Sequence, residues 1–169
     1  MKFDVGILGS QPVATIVKQA QLAESVGYDT VWITDTHLVC RELWVTLTAC
    51  ALGTPHTRHI SVTASAIASL DELIPGRTVV GVGTGGSAAQ TMGLTLAETA
   101  RTATLESMAT SLRRLTKGES IRLERGTDAR LAWLERPRDI PVYAAGSGPR
   151  MLAAAGRVGD GVIMYSSVD

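Results

Sequence analysis

The chain has 169 residues, 45% of them hydrophobic and 19% charged, which supports a buried core and excludes wholesale disorder. That length allows one domain and falls short of a complete (β/α)8 barrel, which takes about 250 residues. With 16 Lys and Arg against 16 Asp and Glu the formal charge is zero, so no nucleic-acid partner is expected.

No window of about 20 residues is apolar enough to cross a bilayer. The start, MKFDVGIL, carries an acidic Asp4 and no cleavage site, so it does not read as a signal peptide and a cytoplasmic protein is expected. Cys40 and Cys50 form no metal motif, even with His37, and no metal site is expected. Only 4% of residues are aromatic, so Ala, Val, Leu and Ile must build the core.

In chain order, Phe3–Leu8 reads as a strand and Gly9–Pro12 breaks it. Ile16, Val17, Ala20, Ala23 and Val26 recur at helical spacing over Thr15–Val26, with Gly27 as the stop. Thr30–Ile33 is a second strand, so the first 35 residues form a βαβ unit with parallel strands. Residues 41–52 and 62–73 both read as helices. A regular βα alternation needs a strand near residue 54, and none is visible there. Pro75–Gly76 ends the second helix, and Thr78–Val82 is an apolar strand of the kind buried on both faces. A long helical pattern covers 95–116, and 119–139 is polar and mixed. Pro141–Ala145 is a strand, Arg150–Val158 an Ala-rich helix and Gly161–Tyr165 the last strand.

Parallel α/β sheets bind ligands at the carboxyl ends of their strands, so the segments after each strand carry the candidate chemistry. Asp35-Thr36-His37 follows the second strand and supplies a carboxylate and an imidazole for acid/base work. The alternative is a helix cap beside a surface histidine. GVGTGGS at 81–87 matches GxGxxG through Gly81, Gly83 and Gly86, a weak signal away from the first strand. It lacks the Lys-Ser/Thr pair of a phosphate-binding P-loop. Gly146-Ser147-Gly148-Pro149-Arg150 opens a helix. Unpaired amides, a hydroxyl, a proline suited to the first turn and a cation there favour a phosphate over a plain structural turn. Thr57-Arg58-His59 is either an anion contact or a solvated helix start. Asp71 and Glu72 with Arg77 read as a helix-end ion network, and Arg113, Arg114 and Lys117 as the basic end of a helix.

Four blocks together resemble a known family: AESVGYDTVWITDTH at 23–37, LWVTLTACAL at 43–52, HTRHISVTASAIASLDELIPGRTVVGVGTG at 56–85 and PVYAAGSGPRMLAAAGRVGDGVI at 141–163. In this order they resemble the bacterial-luciferase-like flavin- or deazaflavin-dependent oxidoreductases, in particular the methylenetetrahydromethanopterin reductase type. The resemblance implies a partial (β/α)8 TIM barrel in one domain over 1–169. It implies hydride transfer through FMN or the 8-hydroxy-5-deazaflavin coenzyme, to or from a small-molecule substrate, with dioxygen activation in monooxygenase members. Asp35 and His37 would lie in the catalytic region, though Thr36 separates a pair that is often adjacent in the family. Gly83, Thr84 and Gly85 would lie beside the cofactor ring. Gly146, Ser147, Gly148, Pro149 and Arg150 would receive its phosphate.

The resemblance also implies a shortfall. About a dozen residues are missing where ALGT runs into PHTRH, and two closing βα units do not follow Tyr165. An open barrel exposes sheet edges, so the expectation is either a homo-oligomer, most simply a dimer, or a sequence that is part of a longer protein. Two other readings stay open: a non-catalytic relative acting in binding or assembly, and an unrelated small Rossmann-like nucleotide binder with its anion at the first strand.

Overall fold

The computed structural model describes residues 2–34, 40, 51–53, 59–95, 102–123 and 126–164, with backbone alone for 51–53, 87 and 88. The elements are β1 (Asp4–Ile7), α1 (Val13–Ser25), β2 (Thr30–Ile33), β3 (Ala51–Gly53), α2 (Ile60–Leu73), β4 (Val80–Val82) and α3 (Gly86–Thr91). They continue with α4 (Thr102–Thr116), β5 (Ile121–Arg122), β6 (Asp128–Ala129), β7 (Val142–Gly146), α5 (Pro149–Val158) and β8 (Gly161–Met164).

β1 and β2 pair in parallel with Asp4 opposite Thr30. A second parallel sheet has the order β3-β4-β7-β8, with Val80 opposite Val142 and Tyr143 opposite Gly161. β5 and β6 form a small antiparallel ribbon. Strands and helices alternate as in an α/β barrel, but among the described residues the sheets do not close into one. The two sheets nonetheless approach each other: the Trp32 ring on β2 meets the Tyr143 ring on β7, although these strands are not sheet neighbours.

Each strand serves two faces because successive side chains alternate. Val80, Val82, Val142 and Ala144 point outward into the main core, with Ile67 of α2, Leu105, Met108, Ala109 and Leu112 of α4, and Ala154 and Ala155 of α5. α4 fits this layer because its buried residues, Leu105, Met108, Ala109, Leu112, Leu115 and Thr116, recur three or four apart on one face. α1 ends as its sequence dictates. Gly27 takes φ +93°, its N–H donates to Glu24 O, and the Tyr28 N–H reaches back to Ala23 O, which is a Schellman stop.

The structure departs from the sequence reading in four places. The helix read over 41–52 gives way at its end to β3, just before the position where no strand was visible; residues 41–50 lie outside the described residues. Helical spacing in an apolar run did not separate helix from strand there. α3 starts inside the glycine-rich segment, and the mixed region 119–139 holds the β5–β6 ribbon. The ion network at the end of α2 is built with another arginine. Arg138, not Arg77, lies 3.4 Å from Asp71 and 3.6 Å from Glu72, while Arg77 reaches Glu24 on α1 at 2.7 Å. Asp71 also accepts the Gly76 N–H at 3.1 Å, fixing the turn after α2. Arg113 and Arg114 do form the basic end of α4, and His59 caps α2, its Nδ1 accepting the Ser61 N–H.

Arg113 ties α4 to the sheet. It donates to Val158 O at 3.0 Å and to Asp160 Oδ2 at 2.8 Å, and the same Oδ2 accepts the Val142 N–H at 2.8 Å. Burial pushes the Asp160 carboxyl upward, but the Val142 amide and then the Arg113 guanidinium, with Lys117 further off, outweigh it and hold its pKa below the ordinary carboxylate value.

A groove of about 390 Å³ flanks the open side of β1 against α1, lined by Val5, Ile7, Leu22, Ala23, Val26 and Tyr28 among others. Among the described residues no carboxylate, imidazole or cation lines it, nor does any residue expected to carry chemistry.

Two predictions follow from this packing. Leu105 is fully buried whereas Leu73 is 72% exposed, so urea denaturation will show Leu105→Ala costing about 2–5 kcal/mol and Leu73→Ala less than about 0.5 kcal/mol. Asp160 has its pKa lowered on folding, so its contribution is complete above the unfolded carboxylate value and is lost as pH falls through the folded value. Asp160→Asn will therefore lower Tm at about pH 7, and the gap to the unmutated chain will narrow as pH falls from about 5 towards 2. A gap that stays constant across that range would show that the charge plays no part.

Candidate functional site

The carboxyl ends of β4 and β7 are adjacent because the two strands pair in parallel, Val82 opposite Ala144. The segments that follow them are therefore side by side. A Cβ added at Gly83 would lie 3.2 Å from the Ala145 Cβ, so the loop after β4 rests directly on the end of β7. Gly83, Thr84 and Gly85 are all half-buried, and the Gly85 carbonyl accepts the Ala89 N–H at 2.8 Å as α3 begins.

The turn after β7 feeds straight into α5. Gly146 ends the strand, and a Cβ there would sit 2.8 Å from Met151 Cγ and 3.2 Å from the Met151 backbone. Gly148 is the N-cap, with φ +78° and ψ 157°, and no side chain caps the helix. That left-handed backbone suits glycine, and open space surrounds the place of its missing Cβ. Pro149 occupies the first turn, where its absent N–H costs nothing. The Leu152 N–H donates to Gly148 O at 3.0 Å, so the Arg150 and Met151 amides before it lack helical acceptors. Ser147 and Arg150 are exposed, and Arg150 makes no ion pair among the described residues.

Chemically, this is a concave glycine-rich ledge beside a helix start that offers free N–H groups, a hydroxyl and a guanidinium. Such a start favours an anion, and bare backbone lets a flat ring approach closely. The donor set fits a phosphorylated flavin or deazaflavin. Of the predicted site residues, Gly83, Thr84, Gly85 and Gly146 to Arg150 are brought together at one end of the sheet. Asp35 and His37 fall outside the described residues; β2, which precedes them, runs parallel to β1. Among the described residues no cluster of His, Cys, Asp or Glu could hold a metal ion, and no helix is long and apolar enough to cross a membrane.

Sequence reasoning passed over Trp32 and Tyr143, which meet on the inner face at 5.3 Å between ring centroids. It also passed over Asp160, whose carboxylate joins α4 to β7. The available signals were an aromatic in the strand between two apolar residues, and Asp160 flanked by Gly159 and Gly161.

Comparison with known proteins gives the family. The luciferase-like monooxygenase family model matches residues 1–169. The 5,10-methylenetetrahydromethanopterin reductase of Methanolobus tindarius is 37% identical over 183 aligned positions, covering 99% of this chain and 55% of that protein. An F420-dependent glucose-6-phosphate dehydrogenase of Kineococcus radiotolerans is 34% identical, covering 85% of this chain and 50% of its own length. The chain thus spans about half the length of these relatives. In fold, it is similar to the coenzyme F420 dependent tetrahydromethanopterin reductase of Methanopyrus kandleri, with a TM-score of 0.78, 22% identity, and 96% of this chain and 55% of that one covered. The chain belongs to the luciferase-like family of flavin- and deazaflavin-dependent oxidoreductases.

Proposed function

We propose that the chain forms the cofactor-holding part of an oxidoreductase that moves a hydride between a small-molecule substrate and a flavin or deazaflavin. The observation that carries this reading is the contact of Gly83 with Ala145, which sets a bare-backbone ledge beside the free amides of α5. The cofactor, when bound, supplies two-electron chemistry that no side chain of this protein can supply. The protein's part is to hold it. The amides of Arg150 and Met151, the Ser147 hydroxyl and the Arg150 guanidinium hold the phosphate, with Gly148 and Pro149 shaping the turn. Gly83, Thr84 and Gly85 leave room for the ring. Asp35 and His37, after β2, handle the proton that accompanies hydride movement.

The relatives favour deazaflavin over FMN, because the similar glucose-6-phosphate dehydrogenase is F420-dependent. FMN would use the same phosphate seat, and with it the monooxygenase chemistry of the family is the variant reading. We place the protein in the cytoplasm and read it as a homodimer: among the described residues β1 and β8 each pair on one side only, and Val162 and Met164 of β8 are exposed. A non-catalytic role in binding or assembly is the second reading, favoured by the same unpaired edges.

Titration with FMN, riboflavin and the deazaflavin coenzyme tests the cofactor reading. A phosphate held by charge-assisted hydrogen bonds makes FMN bind about 10- to 100-fold tighter than riboflavin. Arg150→Ala will shrink that preference. Equal affinity for FMN and riboflavin would remove the phosphate seat, and no saturation by either phosphorylated cofactor at about 100 µM would remove the cofactor reading. For the acid/base role, His37→Ala and Asp35→Asn will slow turnover of the hydride donor the protein accepts by about 100-fold or more while leaving cofactor affinity within a few-fold. Cofactor binding with no turnover of any hydride donor would favour the second reading.

A further inference from the structure

Below the glycine ledge, towards the amino ends of the strands, the concavity is closed by two aromatic rings. Tyr143 alternates with the outward-facing Val142 and Ala144, so its ring points inward. There it meets Trp32 of β2 with ring centroids 5.3 Å apart and planes inclined at 43°. Both sheet neighbours of Tyr143 are glycine, Gly81 on β4 and Gly161 on β8. The ring lies over the β8 backbone: a Cβ at Gly161 would come 2.6 Å from its Cε2 and 2.8 Å from Cδ2 and Cζ. Any side chain at Gly161 would lift the ring. The Trp32 indole N–H is engaged towards the amino end, donating to Asp4 Oδ2 at 3.2 Å. The Tyr143 hydroxyl has no partner among the described residues. Ala145, which touches the Gly83 loop, stands two residues further along β7, about 6.6 Å nearer the carboxyl end.

We propose that the Trp32–Tyr143 pair is the floor of the cofactor chamber, and that Tyr143 is a positioning residue that sets how deep the flat ring system descends between the strands. The inference rests on the cofactor reading above. A conjugated ring held at Gly83–Gly85 has, one pleat below it, an aromatic surface whose indole N–H is already engaged by Asp4. Aromatic contacts of this kind prefer offset or tilted geometry, as the 43° inclination of the two rings already shows.

The test uses the full chain and the emission of bound FMN. An excited flavin in van der Waals contact with an indole or phenol ring loses its emission by electron transfer, which falls steeply with distance. FMN emission is therefore expected to drop about fivefold or more on binding. Replacing both rings by phenylalanine, Trp32→Phe with Tyr143→Phe, should restore most of it while affinity stays within about threefold. Tyr143→Ala should weaken FMN about tenfold without changing the preference for FMN over riboflavin. Should Tyr143→Ala fail to fold, the phenylalanine double variant decides alone. Bound FMN that is equally dark, or equally bright, in the double variant and the unmutated chain overturns the floor and leaves the cofactor reading standing. Failure of FMN and deazaflavin to bind at all overturns the cofactor reading, and the floor with it.

Discussion

Alternation along the parallel strands is the constraint on which the rest depends. A strand in this sheet has to fill a helix-facing core with one set of side chains and leave usable space with the other. β7 shows it within five residues. Val142 and Ala144 are buried against α4 and α5, while Tyr143 and Ala145 face the concavity. Bulk on the outer face gives stability. Small residues on the inner face make room: Gly161 for the Tyr143 ring, and Gly83 for the Ala145 side chain. A one-residue slip would exchange the two sets and lose both properties.

The same division separates the two ends of the sheet. At the amino ends, charges serve packing: Asp160 joins Val142 to Arg113, and Arg138 joins Asp71 to Glu72. Their charged partners are at hand, although Arg138 Nε stays buried without one. At the carboxyl end of β7 the described groups are left without partners. Arg150 makes no ion pair among the described residues, the first amides of α5 lack acceptors, and Gly148 leaves open space around them. The charge pairs that tie helices to strands thus lie away from the end where a ligand is expected, and the free amides of α5 lie at it.

Much of this was legible from sequence where a single periodicity was unbroken. Ile16, Ala20 and Ala23 gave α1, Thr30–Ile33 gave β2, and the Leu105 to Leu115 spacing gave the core face of α4. The turn Gly146 to Arg150 was legible because helix-start chemistry is local. The strand at Ala51–Gly53 was not, because a three-residue strand after an apolar run has no period of its own and is specified by its pairing with β4. Arg138 as the partner of Asp71 was hidden for a similar reason, since the two are 67 residues apart. Arg77 was the nearer arginine in sequence and the wrong one in space. The Trp32–Tyr143 contact needs curvature, which no local pattern encodes.

The central claim is that the segments after β4 and β7 make one cofactor site. A crystal structure of the full chain grown with FMN or the deazaflavin coenzyme tests it most directly. The account predicts phosphate density at the amides of Arg150 and Met151 beside Ser147, and ring density against Gly83–Gly85. Phosphate bound instead at Gly9–Ser10, after β1, would contradict it and would point to a different nucleotide-binding architecture.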